Sequence, residues 1–186
     1  MANPIGRALR SRRAGHHTLV WMRDDLQAPE NFTLTSSAFE HGNAIPARFR
    51  GRVVAANISP ALSWSAPPDG TVELVLIVED PDAPGRLPAV HALASGIDPG
   101  IAGIPENSLA KGNPLLLHLG RGPLRRVGWT GPAPIPSHGP HSYVFQLFAV
   151  DRAIDLAPGF SRAEALERVA GHVIGRARLD GTYEVS

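Results

Sequence analysis

Residues 72–84 read VELVLIVEDPDAP, an apolar strand that runs straight into two carboxylates and two prolines. Proline holds φ at about −65° and biases the residue before it toward extended backbone, so Asp80 and Ala83 are both constrained. Asp80 and Asp82 stand two residues apart, a spacing that on extended chain turns both side chains to one side. A strand end stiffened in this way is suited to be the rim of a site. Asp and Pro are also ordinary turn residues, and the rest of the chain decides between the two.

The chain has 186 residues, 43% of them hydrophobic, enough for one substantial core. Its 19 Gly and 18 Pro punctuate short apolar runs, the manner of an all-β or β-rich fold. A formal net charge of +1 supplies no global field to recruit nucleic acid or acidic substrates. Without cysteine, disulfides, thiolate metal sites and cysteine nucleophiles are excluded. No apolar run is long enough to cross a bilayer. Residues 1–13 are basic and lack the apolar stretch of a secretory signal, so a cytoplasmic protein is expected. Lys111 is the only lysine among the 18 basic residues, which points to a GC-rich bacterial genome.

Residues 1–30 read as a basic arm and 31–186 as the folded domain. Leu19, Val20 and Trp21 in the arm are expected to dock on the body or on a second subunit, because a tryptophan is out of place in a disordered tail. Residues 32–36 alternate as a strand, 41–46 turn, and 53–55 are a short apolar piece. The strands ALSWS at 61–65 and 72–79 flank a turn at 67–70, and 89–97 is a further strand that contains His91. Strands spaced by turns in this rhythm suggest a sandwich. Residues 101–140 are rich in Gly and Pro, and loops of that length inside a compact domain are usually functional. SYVFQLFAVD at 142–151 is a buried strand. Ser161 and Glu164 form a capping box before Ala165, Leu166, Val169, Ala170, Val173 and Ile174, whose spacing predicts a C-terminal amphipathic helix ending near Leu179. Residues 181–185 then add an edge strand.

Five stretches in order, FTLTSSAFEHGNAIP, NISPALSWSAPPDGT, DPDAP, GPAPIPSHGPHSYVFQLFAVD and the final GTY, resemble the phosphatidylethanolamine-binding protein family. Its members include the Raf kinase inhibitor-like proteins, and the likeness is to the bacterial branch. The resemblance implies a mainly β protein, a sandwich with few helices, a small anion pocket at one end and a homodimer. It places the pocket on Asp80 and Asp82, His91, His141 and Tyr143, with Pro132 and Pro134 shaping the rim. It also suggests a cis peptide at Ala83–Pro84. Two imidazoles and a phenol can each donate to phosphate oxygens, and a carboxylate beside a histidine favours its charged form. The implied ligand is a phospholipid headgroup or another small anion, with a kinase or protease as a possible partner and no metal or cofactor.

Several positions depart from the family pattern. Val90 and Ala92 flank His91 where the family has tryptophans, which thins the aromatic wall. Ala133 stands for Cys, and Ile135, Ser137 and Ser142 stand for Pro, Gly and Arg; losing that arginine removes a charge near the rim.

His16, His17, His41 and His172 read as solvated or structural, and Trp64 and Trp129 as packing. The competing class is a metal-assisted or acid/base phosphoester hydrolase built on Asp80, His91 and His141, since His138, His141 and the aspartates could imitate a metal site. Neither G-x-S-x-G nor a glycine-rich nucleotide loop occurs. If the arm contributes to a dimer, deleting residues 1–22 shifts the protein toward monomer in analytical ultracentrifugation; unchanged sedimentation shows the arm dispensable for assembly.

Overall fold

The computed structural model describes residues 3–51, 55–122 and 125–185, and the apolar piece expected at 53–55 begins outside them. Its strands are β1 (Leu34–Thr35), β2 (Leu62–Trp64), β3 (Glu73–Asp80), β4 (Ala89–Ile97), β5 (Gly103–Ile104), β6 (His118–Leu119), β7 (His141–Val150) and β8 (Val173–Tyr183). Helix α1 (Pro4–Leu9) opens the chain and α2 (Arg162–Val169) precedes β8. A three-stranded sheet, β1-β2-β5, faces a five-stranded sheet, β6-β4-β3-β7-β8, with antiparallel pairing throughout both. The chain is therefore mainly β, in two layers.

β3 is buried at every position, which requires a cover on each face of its sheet. Its even positions, Leu74, Leu76 and Val78, join Phe145, Leu147, Leu62, Trp64 and Phe49 in the core between the sheets. The odd positions Val75 and Ile77 join Val144 and Phe148 in a second core. That outer core is closed by Leu19, Val20, Trp21 and Leu26 of the N-terminal arm and by Ala165, Leu166 and Val169 of α2. The tryptophan ring sits 6.1 Å from that of Phe148, and the Arg176 guanidinium lies 4.1 Å from its centre.

Two of the polar side chains on the outer face, Glu79 and Gln146, are fully buried. Glu79 Oε2 accepts from the Val20 N–H at 2.9 Å and from Gln146 Nε2 at 3.0 Å, while Oε1 accepts from Arg162 Nε at 2.6 Å. Gln146 Oε1 accepts from the Trp21 N–H at 2.8 Å. The arm is thus held by apolar burial and by backbone donors that a buried carboxylate and amide satisfy.

The C-terminal helix is shorter than its spacing predicts. The capping box forms, with Ser161 Oγ accepting from the Glu164 N–H and Glu164 from the Ser161 N–H, but α2 stops at Val169. Gly171 takes φ +77° and turns the chain back. Residues 173–183 then pair along β7 from Val150 to His141. The ladder wins because it satisfies the free edge of β7, while Ala177 and Leu179 enter the core between the sheets.

Replacing Glu79 with alanine leaves Arg162, Gln146 and the Val20 amide without their acceptor. Glu79→Ala is expected to lower unfolding stability by about 3–5 kcal/mol in urea denaturation; a loss near zero would show the network idle.

Candidate functional site

The site lies where β3 ends and where β4 and β7 begin. Asp80 closes β3, and its Oδ1 accepts from the N–H groups of Asp82 at 2.8 Å and Ala83 at 3.0 Å, an Asx turn that folds the chain across the strand end. Every described peptide bond is trans, so the cis bond expected at Ala83–Pro84 does not form. The Asp80 side chain makes the turn instead, and Ala83 and Pro84 reach the cavity wall through it.

His91 is aimed by an irregularity in pairing. Val78 opposes Ala92 and Glu79 opposes Val90, so His91 is the extra residue of a β-bulge. Strict alternation would put His91 with Leu93 on the outer face; the bulge brings it in beside Tyr143. The two rings meet edge-on at 4.8 Å. Trp129, brought from the long loop, has its ring centre 6.4 Å from that of His91 and supplies an aromatic neighbour that Val90 and Ala92 cannot. His141 begins β7 on the same inner face as Tyr143. Before it, Ser137 and Gly139 take φ +67° and +104°, and this corner returns His138 to His141 with ring centres 4.8 Å apart.

A row of hydrogen bonds joins these groups. His141 Nδ1 lies 2.7 Å from Asp80 Oδ2, and His141 Nε2 lies 2.7 Å from His138 Nδ1. His91 Nδ1 bonds the Thr130 carbonyl, which leaves its Nε2 free, 3.9 Å from Asp80 Oδ2. Both nitrogens of His141 are engaged, so His141 cannot donate to a ligand as expected while these bonds hold. His91 Nε2 is available, the buried Thr130 hydroxyl has no protein partner, and the Tyr143 hydroxyl has only the Ala133 backbone N–H beside it, without good hydrogen-bond geometry.

A cavity of about 210 Å³ collects Asp80, His91, Pro134, His141 and Tyr143, walled also by Ala83, Pro84, Ala89, Thr130, Gly131, Ala133 and Ile135. Asp82 and Pro132 are not among its walls. Asp82 turns away, accepting from Arg13 Nη1 at 2.5 Å and from the Ser142 N–H at 2.7 Å. Pro132 presents its carbonyl to the Gly51 N–H at 3.0 Å. Sequence reasoning missed Arg13 as a neighbour of the site and His138 as the partner of His141. A larger hollow of about 800 Å³, along Lys111, Leu116–Leu119, Val127 and Pro158, holds none of the expected site residues. The chemistry sits in the smaller cavity.

Burial pushes His91 below its ordinary 6.5, against the opposing pull of the Asp80 carboxylate. Its neutral form is the one that folding favours. The stability this contributes is present above pH 6.5 and is lost as pH falls below it. Burial first, and the Asp80 carboxylate second, push the Tyr143 phenol far above its ordinary value of 10.0, so it remains a donor. Asp82 is pushed up by burial, but hydrogen bonds from Arg13 and Ser142 outweigh that and hold it below its ordinary 3.8. Among the described residues no three His, Asp or Glu side chains are placed to hold a metal ion, and no helix is long and apolar enough to cross a membrane.

Two antiparallel sheets with a His, Asp and Tyr pocket at one strand end define the class of fold. The chain belongs to the phosphatidylethanolamine-binding protein family, whose profile matches residues 35–184. It is 39% identical over 151 residues to a UPF0098 protein of Methanothermobacter thermautotrophicus, covering 81% of this chain and 97% of that one. LppC of Mycobacterium tuberculosis, whose name makes it a candidate lipoprotein, is 37% identical over 157 residues, 84% of this chain and 74% of its own. Among solved structures, a phosphatidylethanolamine-binding protein homologue from Chlamydia trachomatis, CT736, superposes with a TM-score of 0.75 at 31% identity, over 84% of this chain and 99% of its own. YbcL of Escherichia coli, a member of the same family, gives 0.78 at 25% identity, over 83% and 99%.

Tyr143 is fully buried, and its hydroxyl makes no well-formed hydrogen bond inside the protein beyond the poorly aligned Ala133 N–H, an arrangement that costs stability. Tyr143→Phe is expected to leave the fold intact and raise unfolding stability by about 1 kcal/mol, read from urea midpoints. A destabilisation would show that the hydroxyl has a partner in the folded protein.

Proposed function

We propose that the cavity binds a small anion, such as the phosphate of a phospholipid headgroup, through Tyr143 Oη and a protonated His91. The reading is supported by one observation above others: His91 Nε2 is unengaged and the Tyr143 hydroxyl lacks a well-formed protein hydrogen bond, in a cavity otherwise walled mainly by Ala, Pro and Ile. Oriented polar groups in an apolar hollow are the usual anatomy of a small-ligand site. The reading extends to a cytoplasmic homodimer in which an occupied cavity modulates a partner kinase or protease; sedimentation equilibrium reports the subunit count.

Because His91 Nδ1 is committed to Thr130, Nε2 becomes a donor only when the ring gains a second proton. An anion in the cavity favours that charged form, so binding takes up a proton. His91 alone is held below 6.5, and affinity is therefore expected to rise as pH falls from 8 to 6, by up to about tenfold per unit.

Sulfate is the probe of choice, since its charge is constant over this range. In calorimetric titrations His91→Ala is expected to flatten the pH dependence, and Tyr143→Phe to weaken sulfate about tenfold while keeping it. Equal affinities in the wild type and both variants would end the reading. Release of phosphate from a phosphomonoester, lost in His91→Ala, would replace it with the hydrolase.

A further inference from the structure

Residues 3–15 precede the family match and touch both loops of the site. The Gly15 N–H donates to the Pro81 carbonyl at 2.8 Å and the Ala14 N–H to that of Ala83 at 3.2 Å. Arg13 bonds Asp82 on one loop and, on the other, the Pro140 carbonyl at 2.9 Å and the His138 carbonyl at 3.4 Å. One guanidinium thereby ties the two loops together. Behind them α1 lies flat on the His138 corner. The Asn3 N–H donates to Ser137 Oγ at 3.1 Å, and His138 Nε2 donates to the Leu9 carbonyl at 2.8 Å. A Cβ at Gly6 would collide with the Pro136 carbonyl, so the approach depends on glycine.

The Leu9 carbonyl determines how many protons the histidine pair holds. A carbonyl can only accept, so His138 Nε2 carries hydrogen. The His138–His141 contact needs one proton between its nitrogens, and the His141–Asp80 contact needs another. The row thus needs three protons, whereas two neutral imidazoles bring two. The two backbone N–H groups on Asp80 Oδ1 are bound more strongly by a carboxylate than by a neutral acid, and with Asp80 ionised the third proton belongs to the imidazole pair. The charged and titratable groups around it are Asp80 from β3, Asp82, Arg13 and His16 at the loops, and His91 and Tyr143 across the cavity.

We infer that the N-terminal segment is a working part of the pocket: the Leu9 carbonyl and the Arg13 clamp position His138, which holds His141 and its shared positive charge beside the cavity. Arg13 and His138 are positioning residues in this arrangement, since neither lines the cavity. Its effect on anion affinity rests on the function proposed above; its effect on the histidine pair does not. An anion would meet a compensated carboxylate instead of a bare one.

Two variants test this from different directions. Arg13→Ala removes the clamp, and Gly6→Val wedges α1 away from Pro136 without altering charge. Long-range proton–nitrogen NMR of the histidine rings at pH 7 is expected to show three protonated ring nitrogens shared by His138 and His141 in the wild type. Both variants are expected to lose one, with sulfate binding weaker by about tenfold, and Arg13→Lys to recover part of each. Burial of Trp21, read by fluorescence, reports that the fold is retained. Wild-type ring signals in both variants would overturn the inference. Altered ring signals in a protein that never binds sulfate would uphold the inference and remove the anion reading alone.

Discussion

A sheet whose central strand is apolar on both faces cannot stand with one side in water, and this constraint organises the molecule. The small sheet covers one face of β3 and its neighbours. The other face needs a second cover, and α2 supplies only three of the buried apolar side chains found there. Residues 19–26 complete it, anchored by Glu79 and Gln146. Once the arm lies across the outer face, the chain preceding it runs past the ends of β3 and β7, which is where the acid–base groups are. Packing at one place and chemistry at another are thus connected by the path of one segment.

Antiparallel register does the rest. Asp80 opposes Ala89 at the start of β4, and Glu79 opposes Val144 near the start of β7. The end of one strand therefore meets the beginnings of two others, and Asp80, His91 and His141 converge although 61 residues separate the first and last. A slip by one residue would send Asp80 and Tyr143 to opposite faces. The bulge at His91 shows the reverse use of the same rule: a single extra residue turns in a side chain that alternation would turn out.

The long strands were legible because residues 74–78 are an unbroken apolar run that ends close to Pro81, and residues 143–150 are apolar apart from Gln146 and follow Pro140, which leaves little else to form. The start of α2 was legible from its capping box, but its end was not. Val173 and Ile174 continue the helical period, and only the free edge of β7 shows why they leave it. The five motifs located Asp80, His91, His141 and Tyr143. They could not show that His141 has both nitrogens engaged, that Asp82 faces Arg13, or that His138 completes a row of hydrogen bonds. Apart from the short His138–His141 step, those facts depend on contacts spanning 61 to 129 residues, for which local sequence carries no signal. Arg13 in particular reads as one more solvated arginine in a basic terminus until the fold returns it to Asp82.

The partners of Trp21 set an order in time. Its N–H meets Gln146, 125 residues later in the chain, and its carbonyl meets Arg176, 155 residues later. During synthesis Trp21 is made well before either partner and stays uncovered until β7 and β8 follow. Contacts this distant are slow to form, and an uncovered apolar face invites association in the interval. Docking of Trp21 is thus completed only by residues of the last two strands, β7 and β8, the same strands that close the core between the sheets.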